Sequence, residues 1–180
     1  QKLALELYDN PENVKKLASI YTEIWIKVAK AQIEKTPKFY NGYVMPWYNI
    51  WMPDYCQYIQ EDSLAYFSPK FYREILLENH IKMANSFKYS LMHLHTDGLY
   101  CLDKLYQMES LKIIEVTGDM AGPSAFELLP TLKELQKHKP LLIWGDLTRE
   151  EIKELLNILS PGGLCICPVV KTLDEGKELI

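Results

Sequence analysis

His93 and His95 stand two residues apart at the end of a short apolar run, Tyr89 to His95. Residues two apart on a strand point the same way, so a strand here would turn both imidazoles to one face. Cys165 and Cys167 repeat that spacing further along. Glu115 lies in a third run of the same kind. Imidazole, carboxylate and thiolate are the groups zinc prefers, and a catalytic zinc keeps one coordination position open. The metal ligands expected from these residues are His93, His95, Glu115 and Cys167. Imidazoles also pass protons near neutral pH, so His93 and His95 are candidate catalytic residues with or without a metal. Asp62 joins them, because it lies in a predicted loop just before a helix. Trp51, Asp119, Trp144 and Asp146 are expected to line the substrate side.

Each group also has a structural alternative. Either histidine could be a core residue bonded to backbone, or a donor to substrate. A cysteine in a buried strand is commonly a small hydrophobe. Glu115 could pair with a lysine, and Asp62 could cap a turn. Tyr43, Trp47, Trp51 and Tyr55 could pack a loop onto the core.

The elements that must position these residues follow a rhythm. A segment over residues 1–40 reads as helical, with apolar residues at Leu17, Ile20, Tyr21, Ile24, Val28 and Ile33 and an end at Pro37. An aromatic-rich stretch follows, in which one strand is predicted within Gly42 to Trp51 and then a loop holding Asp54, Glu61 and Asp62. Ser68-Pro69 starts a helix running to about Phe87. Strands are then predicted at Tyr89–His95, Lys112–Thr117, Leu141–Trp144 and Leu164–Val169. Helices are predicted at Gly98–Met108, Ser124–Lys137 and Thr148–Leu159, and another begins near Leu173. Ser124 to Glu127, Thr148 to Glu151 and Thr172 to Glu175 each read as a capping box. Ile152, Leu155, Leu156 and Leu159 form an apolar stripe.

Short apolar strands alternating with helices imply a parallel sheet covered by helices. The fold class expected is α/β, the C-terminal portion of a TIM-type (βα) barrel over residues 41–180. About five strands are legible, whereas a closed barrel needs eight strands and ~250 residues. An open half-barrel exposes two sheet edges, so a longer parent protein or a homo-oligomer is expected. The chain opens at Gln1 without a start Met and reaches Ile180 inside an apparent helix, which reads as cut at both ends. Ligands in such folds bind where the strands end.

Composition narrows the classes. The 180 residues are 48% hydrophobic and 24% charged, with a net charge of −4, the balance of a globular protein. Negative charge argues against a nucleic-acid or membrane-surface partner and leaves a small-molecule substrate. No apolar run reaches membrane-spanning length, and no signal peptide is visible. Four cysteines are too few for a disulfide scaffold, which favours a reducing cytoplasmic setting.

Several segments, in order, resemble the uroporphyrinogen decarboxylase superfamily, from about Gly42 onward. Gln60-Glu61-Asp62-Ser63 with Ser68-Pro69-Lys70-Phe71-Tyr72 is similar to the family's acidic loop and following helix. Met92-His93-Leu94-His95-Thr96-Asp97-Gly98 is similar to the His-x-Cys-Gly-Asn segment of its corrinoid-dependent methyltransferases. Ile143-Trp144-Gly145-Asp146-Leu147 is similar to its Gly-Asn-Leu/Met-Asp strand end. Glu115 resembles the glutamate ligand of the related cobalamin-independent methionine synthases, and Cys167 lies near their last cysteine, offset by a residue. The resemblance implies a barrel fold and a methyltransferase-like activity, with zinc activating an acceptor and a corrinoid carried on a partner protein. His95 departs from the methyltransferases' cysteine, leaving the metal more electrophilic and less suited to thiol activation. The alternative is a metal-free decarboxylase acting on a tetrapyrrole or another carboxylated substrate. That activity looks to an Arg and an Asp in an N-terminal half, to a Ser or Thr where Asp62 stands, and to a late His beyond Ile180. A non-catalytic barrel that binds a ligand or corrinoid protein is the third reading.

Overall fold

The computed structural model describes residues 2–119 and 122–179. Gln1 and Ile180, where the sequence reads as cut, lie outside the described residues. Two helices open the chain, α1 (Lys2–Asp9) and α2 (Pro11–Lys35). A hairpin of β1 (Tyr43–Met45) and β2 (Ile50–Met52) follows, paired antiparallel. The main sheet comprises β3 (Cys56–Glu61), β4 (Tyr89–His95), β5 (Leu111–Gly118), β6 (Leu141–Gly145) and β7 (Leu164–Pro168). Every neighbouring pair in it is parallel, and the spatial order is the chain order.

Helical segments fill each crossover. Between β3 and β4 run α3 (Pro69–Phe71), a π-helical stretch (Tyr72–Leu76) and α4 (Leu77–Asn85). Between β4 and β5 a 3-10 helix (Thr96–Cys101) leads into α5 (Leu102–Leu105). Then come α6 (Ala125–His138), α7 (Arg149–Ile158) and α8 (Leu173–Leu179).

The two sheet faces differ. Met92, Leu94, Ile114, Val116, Leu141 and Ile143 point to one side, where they pack with Ala84, Leu105, Leu132, Leu135 and Leu155 from the helices. Leu91 and Leu142 point to the other, where they meet Met45 of the hairpin. Helices on one face and sequential strand order make this a parallel (βα) unit; no barrel closes among the described residues, since β3 and β7 end the sheet. No helix of the described residues is long and apolar enough to cross a membrane.

Four local expectations change. The segment read as one strand within Gly42–Trp51 is the antiparallel hairpin, outside the main sheet. The strand that completes the five is β3, read from sequence as a loop; Gln57 and Gln60 break its apolar run. The apolar residues noted on α2 do not form its buried stripe. Leu17, Ile20, Tyr21, Ile24 and Val28 are exposed, and Val14, Thr22, Ile26 and Ala29 face inward. The helix expected over Gly98–Met108 is mostly 3-10, with Cys101 Sγ donating to the Gly98 carbonyl.

Two capping boxes close in both directions, at Ser124/Glu127 and Thr148/Glu151. The third closes in one. Glu175 N–H donates to Thr172 Oγ1, but the Glu175 carboxylate accepts from the Lys171 N–H instead. Glycine is required at the end of β6. Gly145 has φ 150, and a Cβ there would lie 2.9 Å from the carbonyl oxygen of Gly118, its register partner on β5. The Trp144-Gly145-Asp146 turn thus owes its glycine to strand packing.

Candidate metal centre

β4 delivers both imidazoles to the face opposite the helices, as the two-residue spacing requires. Register places Glu115 beside His93 and Thr117 beside His95 on β5. Asp119 follows β5 directly, and Asp62 follows β3. The strand ends thus gather six polar side chains at one corner of the sheet.

Their geometry is ordered. His93 Nε2 lies 3.3 Å from His95 Nε2, and Asp62 Oδ1 lies 3.2 Å from the first and 3.4 Å from the second. Behind this trio each ring is held by its other nitrogen. His93 Nδ1 bonds Glu115 Oε2, and His95 Nδ1 lies 2.6 Å from Asp119 Oδ1. The carboxylates are held in turn. Thr117 Oγ1 donates to Glu115 Oε1 at 2.8 Å. The Thr96 N–H and hydroxyl donate to Asp119 Oδ2 at 3.3 and 3.1 Å. Gln60 Nε2 donates to both oxygens of Asp62.

An Nδ1–H donated to a carboxylate leaves Nε2 as a bare lone pair. With both rings so held, two lone pairs and a carboxylate oxygen converge on one point. Three acceptors that close repel one another unless a metal ion sits among them or a proton on one ring nitrogen bridges them. Asp62, His93 and His95 are also the group whose ligand atoms all lie within 4.8 Å of one another.

The surroundings of the rings are negatively charged, which favours a cation at this point, whether a metal ion or a proton on a ring. His93 is 4% exposed and Glu115 fully buried. Burial depresses the His93 imidazole, but Glu115 and Asp62 outweigh it and raise it above its usual range. Burial lifts the Asp119 carboxyl, but its bonds from His95 and Thr96 win and lower it below the usual range. The Tyr48 and Tyr58 phenols beside the site are held neutral by burial, with the Glu115 charge adding to it.

The expected four-ligand set is not the one assembled. Glu115 stands behind His93, orienting the ring, and sends no oxygen into the trio. Cys167 lies in the register row of His95, Thr117 and Trp144, three strands along. At the ordinary strand spacing that is ~14 Å away. Its Sγ instead faces Cys165 Sγ at 3.6 Å, and burial pushes its thiol up to about 12. Asp62, expected to act with the histidines, takes the third place. Asp119 holds His95.

The other substrate-side residues are placed variously. Trp144 stands beside Thr117 in the register row of His95, and Asp146 lines with Asp119 a cleft of about 420 Å³. Trp144 is part exposed on β6. Trp51 Nε1 donates to the Phe39 carbonyl at 3.0 Å, which pins the hairpin. Asp146 borders an open groove of about 660 Å³ with Arg149, Lys171 and Glu175, which contains no histidine. The cleft that reaches the His95 imidazole is about 350 Å³ and is lined by Asp62, Tyr66, His95, Asp97 and Asp119, among others; His93 lies buried behind it. Thr117 and Thr96 were missed from sequence, although Glu115, Thr117 and Asp119 repeat the two-residue spacing of the histidines.

No protein-family model matches the chain, and no curated protein matches it. The likeness to the uroporphyrinogen decarboxylase superfamily therefore rests on the motifs alone.

Proposed function

We propose that Asp62, His93 and His95 hold a zinc-like divalent metal, and that the protein is a methyltransferase-like enzyme of the uroporphyrinogen decarboxylase type. The observation that carries this is the convergence of two imidazole Nε2 atoms and a carboxylate oxygen, with each Nδ1 held by a carboxylate. Two histidines and one carboxylate, with a position left open, is a ligand set of catalytic zinc. Carboxylates on the far ring nitrogens fix the tautomer and raise ligand basicity. A bound metal would act as a Lewis acid on the acceptor nucleophile. The methyl group would come from, or go to, a corrinoid on a partner protein. His93 and His95 would turn their lone pairs to the metal, His95 and Asp62 from the cleft and His93 from its buried side. Asp62 adds charge, and the Tyr58 ring packs near His93. The ligand set lacks thiolate, which suits an oxygen or nitrogen acceptor better than a thiol. A reducing cytoplasmic setting fits the four free cysteines. The open sheet edges fit association with a further copy or chain.

The test is transfer of the methyl group from methylcobalamin to an added nucleophile, an alcohol, an amine or a thiol in turn, which takes the methyl group, releases its proton and leaves cob(I)alamin. The absorption spectrum follows it under anaerobic conditions, with and without EDTA. Metal-dependent transfer that EDTA abolishes is expected. Equal turnover after chelation would overturn the metal-dependent reading.

One observation favours a second, metal-free reading. Glu115, His93, His95 and Asp119 form an unbroken chain of close polar contacts, which could pass a proton. Against its use on a carboxylated tetrapyrrole, the described lining of the cleft carries Asp62, Asp97 and Asp119 and neither Lys nor Arg. Substrate carboxylates would meet three aspartates there, with the histidine pair as the source of positive charge.

A further inference from the structure

A second cluster of buried titratable side chains lies on the opposite side of the sheet from the histidine pair. His80 of α4 is 2% exposed. Its Nε2 lies 2.6 Å from Glu61 Oε1, and its Nδ1 lies 3.3 Å from Tyr72 Oη. One tautomer satisfies both contacts: Nε2–H donates to Glu61, and the Tyr72 hydroxyl donates to Nδ1. Tyr72 opens the π-helical stretch and is fully buried. Its ring packs edge-on against Tyr100 at 6.1 Å. The Tyr100 hydroxyl donates to the Leu64 carbonyl at 3.1 Å.

These contacts grip one short stretch of chain at two points. Glu61 and Leu64 bracket the turn that carries Asp62. Asp62 is the exposed member of the metal trio, with half its side chain in solvent. An exposed aspartate on a turn presents its carboxylate at one place only when its backbone and its side chain are both held. Gln60 restrains the Asp62 carboxylate from the front. The backbone itself is restrained from behind, by Glu61 and Leu64. A polar network buried at this depth is costly unless every member is satisfied, and these members all point at the same turn.

We infer that buried His80 and Tyr72, with half-buried Tyr100, form a platform that positions Asp62 for the cation through Glu61 and Leu64. They are positioning residues that touch no ligand. The inference rests on the metal reading of Asp62, His93 and His95.

The experiment is a Co²⁺ titration of the whole chain, followed by visible absorption, beside a thermal melt of the metal-free protein. His80→Phe would leave the half-buried Glu61 unpaired and remove a buried polar group's partner, so the graded pair Glu61→Gln and Glu61→Ala is used, with Tyr100→Phe. Glu61→Gln keeps an acceptor for His80 and should bind Co²⁺ nearly as the parent does. Glu61→Ala should weaken binding by about tenfold or more and alter the absorption bands, as loss of an orienting partner does at metal sites. Tyr100→Phe should show a smaller change in the same direction. Leu155→Ala, in the core under α7, should lower Tm and leave Co²⁺ affinity unchanged. If Glu61→Ala loses Tm but binds Co²⁺ as the parent does, the platform is structural only and the inference fails while the metal site stands. If the parent chain binds no Co²⁺, the metal reading fails and takes the inference with it.

Discussion

Nε2 of His93 and Nε2 of His95 face each other across 3.3 Å, and each ring turns its Nδ1 to a carboxylate of its own. A pair of histidines serving the core would spend those nitrogens on backbone. Here the inner nitrogens are committed to anchoring, and the outer ones are left for something between them.

Asp119 anchors one of the two rings. Asp119→Asn removes the charge that fixes the His95 tautomer. Zinc affinity should fall by about 10- to 100-fold, with a small change in melting temperature. Competition against a chromophoric chelator measures it.

Cys167 is predicted to have no part in metal binding. It sits three strands from His95 in the register row. Cys167→Ala should leave zinc affinity unchanged. With its thiol pushed up to about 12, iodoacetamide should alkylate it slowly at neutral pH. A zinc site lost on alkylation would contradict the assignment.

Glu151 joins two helices. It closes the α7 capping box and also accepts the Ala125 N–H at the start of α6, at 3.1 Å. Burial lifts its carboxyl, but the Thr148 and Ala125 hydrogen bonds outweigh that and lower it below 4.5. The stability it lends is therefore present above that value and lost as pH falls through the lower folded-state value. Glu151→Gln should cost about 0.5–1 kcal/mol at pH 7, the low end for a cap because the group is half in solvent and glutamine keeps an acceptor oxygen. Urea melts of both proteins should converge as pH drops well below 4.5. A difference that persists there would show that charge is not the cause.

Gly145 is predicted to resist substitution. Gly145→Ala places a Cβ against the Gly118 carbonyl at an unfavourable φ and should cost about 1–3 kcal/mol. The denaturation midpoint reports it.

Much of this architecture is legible in the sequence, and the exceptions have physical causes. β4 to β7 are apolar because helices cover one face and the hairpin and its neighbours part of the other, so they read plainly. β3 hides because Gln57 and Gln60 interrupt it, as an edge strand allows. The shared face of His93 and His95 follows from strand period alone. Whether Glu115 stands before or behind His93 does not, because only the register of β4 on β5 sets it. Cys167 has the right chemistry, but the strand order puts it out of reach. His80 looks like any residue of α4 until packing buries it against Glu61.

The most direct measurement is metal content by mass spectrometry, on the chain purified without a polyhistidine tag beside His93→Ala/His95→Ala. The account predicts about one zinc-like ion per parent chain and none in the variant. Absence of metal from the parent after incubation with zinc, or equal metal in both proteins, would contradict it.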